Sequence, residues 1–182
     1  MFTRWCRILE RVPGSVLWLL GDNPWAIENL RREAASRGID PARLVFAPRA
    51  SLPDHLARHR LADLFLDTLP YNAHTTASDA LWTGLPIVTC AGRSFPARVA
   101  GSLLHAIGLP ELVTDSLDDY KAKAIDLALR SEALAAVREK LARNRLAEPL
   151  FDTVRYCRDI ESAYLRMWSL WQDGEPPQSF AV

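Results

Sequence analysis

What most constrains this chain is a series of short apolar runs, each too brief for a helix and each followed by a stretch of helical periodicity. "SVLWLL" (residues 15–20), "RLVFAP" (43–48), "DLFLDT" (63–68) and "PIVTC" (86–90) are continuous rather than alternating, as in strands covered on both faces. Between them, "PWAIENLRREAASRG", "SLPDHLARHR" and "TTASDALWTG" read as helices. Pro24 and Pro53 suit first turns, Ser51 suits an N-cap, and Gly38 and Gly84 suit C-terminal ends. Strands alternating with helices at this spacing give right-handed βαβ units and a mostly parallel sheet.

Farther along, "FPARVAGSLLHAIGL" reads as one helix ending at Gly108, and "ELVT" (111–114) as a short fifth strand. "SLDDYKAKAIDLALR" takes its cap from Ser116 or Asp118, and "SEALAAVREKLARNRL" begins in the same way at Ser131. These later helices are expected to pack on the sheet or cross back over it. The last segment runs from Asp152 to about Trp171 and sets Tyr156, Ile160, Tyr164, Met167 and Trp171 on one face. Residues 1–173 are therefore expected to form a single α/β domain with helices on both faces, and 174–182 a loose tail. The chain opens in a helix-like stretch, "FTRWCRILERVPGS", where a doubly wound domain usually starts with a strand and its glycine-rich turn. That first unit is expected to be missing, which leaves the domain truncated at its N-terminal edge, or to lie elsewhere.

The sequence has 182 residues, enough for one domain with a core that needs no metal or disulfide. Its formal net charge is zero, which argues against nucleic acid or an anionic membrane as partner. Cys6, Cys90 and Cys157 are far apart and odd in number, so reduced thiols in a cytoplasmic protein are expected. No apolar run approaches the ~18 residues of a membrane span.

In an open parallel sheet, ligands bind at the carboxyl ends of the strands. The segment after Thr68 is such an end. Thr75 and Thr76 fall where a helix starts, with amides that lack intrahelical partners and a partial positive charge from the dipole. Amides and hydroxyls converging there suit a phosphate, and His74 adds a donor beside them. Asp79 lies one turn along the same face. A carboxylate there repels phosphate but suits the two hydroxyls of a ribose. The simpler alternative is that Thr75 and Thr76 cap a helix and Asp79 is a solvated acid. A second cluster, "RASLPDHLARHR", follows another strand end. Ala50 leaves room for a planar base, and His55 and Arg58 share one face of a short helix. Its alternative is a solvated basic helix. His59 and His105 are read as structural. Asp118 and Asp119 are read as a helix start rather than a metal site, and there is no DxD, GxGxxG or P-loop pattern.

The run "RLVFAPRASLPDHLARHRLADLFLDTLPYNAHTTASDALWTGLPIVTCAGRSFPARVAGSLL" resembles the C-terminal catalytic lobe of the peptide O-linked N-acetylglucosamine transferases, which include the SPINDLY-type proteins. "RVPGSVLWLL", "EPLFDT" and "IESAYLRMW" extend the resemblance over nearly the whole chain. It implies the second Rossmann-like half of a GT-B glycosyltransferase, ending in a long C-terminal helix. It implies that His74, Thr75 and Thr76 hold the diphosphate of UDP and Asp79 the ribose. His55 would lie against the uracil, the Ala50 backbone would read the base edge, and Arg58 would fix the same end. The implied reaction is inverting transfer of N-acetylglucosamine from UDP-GlcNAc to Ser or Thr hydroxyls of an acceptor protein, with no cofactor and no metal.

Two departures from the family pattern stand out. Leu52 occupies a position that is usually basic, while Arg49 is expected to point elsewhere. The family's catalytic lysine segment, its N-terminal lobe and its tetratricopeptide repeats have no counterpart here. No catalytic residue is therefore assigned, and the chain alone is expected to be inactive, with its interlobe face open to self-association. The alternatives are a non-catalytic nucleotide-sugar binding module and, more distantly, a sugar-nucleotide epimerase of GT-B shape.

Overall fold

The computed structural model describes residues 1–181. Helix α1 (Phe2–Arg11) leads into strand β1 (Leu17–Leu20) and helix α2 (Pro24–Ser36). Strand β2 (Leu44–Ala47), helix α3 (Leu52–Arg58) and the short strand β3 (Phe65–Leu66) follow. Then come helix α4 (Thr75–Thr83), strand β4 (Ile87–Cys90), helix α5 (Val99–Ala106) and strand β5 (Val113–Thr114). Helices α6 (Leu117–Leu129), α7 (Ser131–Asn144) and α8 (Thr153–Gln172) complete the chain.

Every strand pair is parallel, as the alternation of apolar runs and helices requires. The hydrogen-bonded pairing groups the strands as β1-β2 and β3-β4-β5. In β3 the regular pairing stops at Leu66, and the next carbonyl, that of Asp67, accepts from the Tyr120 hydroxyl on α6. Two cores correspond to the two groups of strands. The larger gathers Leu81, Ile87, Val88, Leu104, Tyr120 and Leu141, and the smaller is built on Cys6, Leu9, Leu17, Ala34 and Leu44. Half-buried Trp5 and Leu66 pack against both and join them.

The helix ends follow from local chemistry. Asn23 caps α2 by accepting from the amide of Ala26, and Ser51 caps α3 through the amide of Asp54. Ser116, not Asp118, caps α6. Helix α7 differs from expectation: a single residue, Arg130, separates it from α6, so Ser131 is already helical and no side chain caps it. The stretch read as one helix after Phe95 is a 3-10 turn, Phe95–Ala97, followed by α5.

Helices α6 and α7 pack as expected, burying Tyr120, Ala124, Leu127 and Leu141 in the larger core. Helix α8 does not. Ala163 is its one buried residue, and Tyr156, Tyr164, Trp168 and Trp171 are exposed. Among the described residues no helix is long and apolar enough to cross a membrane.

Candidate functional site

The carboxyl ends of β3 and β4 carry the segment that sequence chemistry singles out. Helix α4 starts at Thr75 with His74 at its N-cap, and no side chain caps it. Thr75 and Thr76 are therefore the first two residues of the helix and do not supply its cap. Both are exposed, and their amides have no backbone acceptor. The first amides of α4 and the two hydroxyls lie open at the positive end of the helix dipole.

His74 is held from two sides. Its ring stacks on Tyr71 at 4.8 Å between centroids and meets Phe95 edge-on at 6.1 Å. Its Nε2 is buried without a hydrogen-bond partner.

The second cluster meets the first. Helix α3 lies beside α4, and Nε2 of His55 stands 3.8 Å from the Asp79 carboxylate. The Arg58 guanidinium lies 2.9 Å from Nδ1 of His55 and donates to the Pro48 carbonyl at 2.9 Å. Arginine can only donate, so His55 Nδ1 accepts and its proton sits on Nε2, facing Asp79. Arg58 also lies over the Trp18 ring at 5.9 Å, linking α3 to β1. Ala50 is exposed on the loop between β2 and α3. The neighbouring Arg49 is held by Asp22 at 2.6 Å, across the ends of β2 and β1, and so turns away from α3 as expected. Leu52 is 63% exposed and offers no cationic contact.

His59 is buried where α3 ends, in keeping with a structural role. Its buried ring packs edge-to-face on His55 at 4.6 Å, and its Nδ1 has no partner. Burial, together with the adjacent His55, pushes its pKa down. His105 fits the structural reading, with Nδ1 at 2.8 Å from the Gly101 carbonyl one turn back.

Sequence reasoning passed over Asp67. It is 1% exposed, and each carboxylate oxygen has one donor: the Ala73 amide at 2.7 Å and the Thr89 hydroxyl at 2.6 Å. Burial pushes its pKa up, against the opposing effect of those donors and of His74. A charged residue inside the apolar run "LFLDT" was the available signal.

A separate concavity of about 380 Å³ lies between Leu56, Arg60, Trp82, Arg145 and Leu146. It adjoins Thr83 at the far end of α4 and is not part of the cluster around Thr75.

Comparison with known proteins points the same way. Residues 1–160 match the family described as glycosyl transferase family 41. The chain is 42% identical over 179 residues to the probable UDP-N-acetylglucosamine–peptide N-acetylglucosaminyltransferase SEC of Arabidopsis thaliana, covering 98% of this chain and 18% of that protein. It is also 42% identical to the Caenorhabditis elegans UDP-N-acetylglucosamine–peptide N-acetylglucosaminyltransferase, over 94% of this chain and 15% of the relative. In three dimensions it superposes on a mutant O-GlcNAc transferase of Thermobaculum terrenum with a TM-score of 0.86 and 34% identity, covering 92% of this chain and 33% of that one. The chain thus spans less than a fifth of the two sequence relatives and a third of the solved structure. With a family match over residues 1–160 and this shared fold, the chain belongs to glycosyl transferase family 41.

Proposed function

We propose that this chain is the donor-holding lobe of an inverting O-GlcNAc transferase, binding the UDP of UDP-GlcNAc. The observation that carries the reading is the uncapped start of α4, where Thr75 and Thr76 present free amides and hydroxyls beside His74. In this reading those groups take the diphosphate. Asp79, one turn on and facing His55, takes the ribose hydroxyls. His55 and Arg58 lie against the uracil, whose edge is read by the backbone at Ala50. Names of the relatives supply the sugar and the peptide acceptor.

As the glycosidic bond breaks, negative charge grows on the departing UDP. Fixed donors aimed at that charge lower the barrier, with removal of one worth about 2.7–4 kcal/mol in comparable anion sites. The clamp proposed here consists of amides, hydroxyls and an imidazole, without a metal. Transfer itself is proposed to require a second lobe and a presented acceptor protein, because Thr75, Thr76 and Ala50 are exposed and a site this open does not exclude water. The chain alone is then a binder and not a catalyst. A cytoplasmic setting agrees with three free thiols.

The test is calorimetric titration of UDP into the chain with EDTA present, beside a Thr75→Val/Thr76→Val variant. The expected result is metal-independent binding that weakens by about tenfold or more in the variant, with an unchanged unfolding transition. Equal affinity in the two proteins would sink the assignment.

A further inference from the structure

We propose that Asp67 is a positioning residue for the diphosphate end of the nucleotide, fixing the start of α4 through the amide of Ala73. This inference rests on the UDP-binding reading above.

A helix start normally fixes itself with its own cap. Here the N-cap His74 makes no side-chain bond, so the first amides of α4 stay free for a ligand. The constraint has moved one residue upstream, where the Ala73 amide donates to Asp67 at 2.7 Å. Asp67 is in turn anchored on three sides. Thr89 on β4 donates to its other oxygen, its amide donates to the Val88 carbonyl, and its carbonyl accepts from Tyr120 on α6. Thr89 is itself tied to β5, through the Thr114 hydroxyl on its carbonyl at 2.9 Å. A continuous polar path therefore runs from the middle of the sheet to the residue before His74.

The intervening loop is fastened as well. Asn72 is buried, its Nδ2 donates to the Thr68 carbonyl at 2.8 Å, and its amide donates to the Pro96 carbonyl at 2.8 Å. Neither Lys nor Arg pairs with Asp67 among the described residues. A carboxyl group in such a place is costly, and an apolar side chain of similar size would suit the core better. What the carboxyl group provides is a directional acceptor at one point, and that point sets the angle at which α4 leaves the sheet.

The experiment compares UDP with uridine. Uridine carries the base and ribose but no phosphate, so a displaced helix start should affect UDP alone. Dissociation constants for both ligands are measured on the wild-type chain and on Asp67→Leu, Asp67→Asn and Thr89→Val, with the unfolding midpoint of each. Asp67→Leu is expected to weaken UDP by about tenfold while uridine changes by less than about twofold. Asp67→Asn keeps an acceptor for Ala73 and offers an N–H to the Thr89 oxygen, so it should regain most of the loss. Thr89→Val should fall between them.

If Asp67→Leu fails to fold, the UDP-to-uridine ratio in Thr89→Val decides, and an unchanged ratio overturns the role. Equal losses for both ligands, tracking the drop in midpoint, would make Asp67 a purely structural residue. Wild-type protein that binds UDP beside variants with an unaltered ratio removes this inference and leaves the UDP site standing. Wild-type protein that binds neither ligand removes both.

Discussion

Nε2 of His55 on α3 and the carboxylate of Asp79 on α4 face each other across 3.8 Å. The gap is too wide for a good hydrogen bond, and a ligand hydroxyl between them can serve both. It joins two clusters that are separate in sequence into one surface, with Thr75 and Thr76 on α4 and His55 and Arg58 on α3.

A consequence concerns the sugar ring of the nucleotide. If Asp79 receives the ribose hydroxyls, the wild-type chain should prefer UDP to its 2′-deoxy analogue. Asp79→Ala should lose about tenfold in UDP affinity and bind the two ligands alike, since a charged acceptor is lost. Competition titrations with both diphosphates measure this, and an undiminished preference in the variant would place the ribose elsewhere.

The stability of the core should depend visibly on one hydroxyl. Tyr120 is fully buried, accepts from the Trp5 indole at 3.1 Å and donates to the Asp67 carbonyl at 3.0 Å. Tyr120→Phe keeps the ring and leaves both partners unsatisfied, which should cost about 1–3 kcal/mol. Denaturant unfolding should show a lower midpoint with an unchanged slope.

Acidification should loosen the contact between α3 and α4 through His59. Burial and the neighbouring His55 and Arg58 lower its pKa, against the opposing pull of Asp79. The folded state thus prefers the neutral ring. Its contribution is complete above the ordinary histidine value, about 6.5, and is lost as the pH falls through the depressed one. The raised pKa of Asp67 acts in the opposite sense, with a contribution that is lost as the pH rises above the ordinary carboxylate range. Thermal unfolding from about pH 8 down to about pH 5 should show a declining midpoint, and His59→Gln should flatten that decline. A decline as steep in the variant would assign it to other groups.

The exposed face of α8 should make the chain self-associate. Tyr164, Trp168 and Trp171 are each more than half exposed, and the two tryptophan rings stack at 4.9 Å. Contiguous aromatic surface of this kind drives association. Sedimentation should show a dimer that grows with concentration, while Trp168→Glu/Trp171→Glu should remain monomeric. A wild-type chain that is monomeric at every concentration counts against the expectation.

Much of the fold was legible in the sequence, because continuous apolar runs and capped helices are local signals. Ser51, Ser116 and the glycines after α2 and α4 mark helix ends where they were expected. What was not legible depends on tertiary partners. The bond from Tyr120 to the Asp67 carbonyl is one such contact, between residues 53 apart. Within the candidate site, the polar row after Thr68 stood out by chemistry. Asp67 did not, since a lone acid inside an apolar run looks like an irregularity until its two donors are visible.

The packing of α1 also bears on how the chain comes together during synthesis. Trp5 bonds to Tyr120 and Arg4 to Asp118, contacts that span 115 and 114 positions. Helix α1 has its docking partner on α6. Until α6 has emerged, α1 carries an indole and a cationic side chain without their mates, beside apolar residues of both cores. Helix α1 is thus fixed only once α6 is present, and the joining of the two cores through Trp5 waits on that contact.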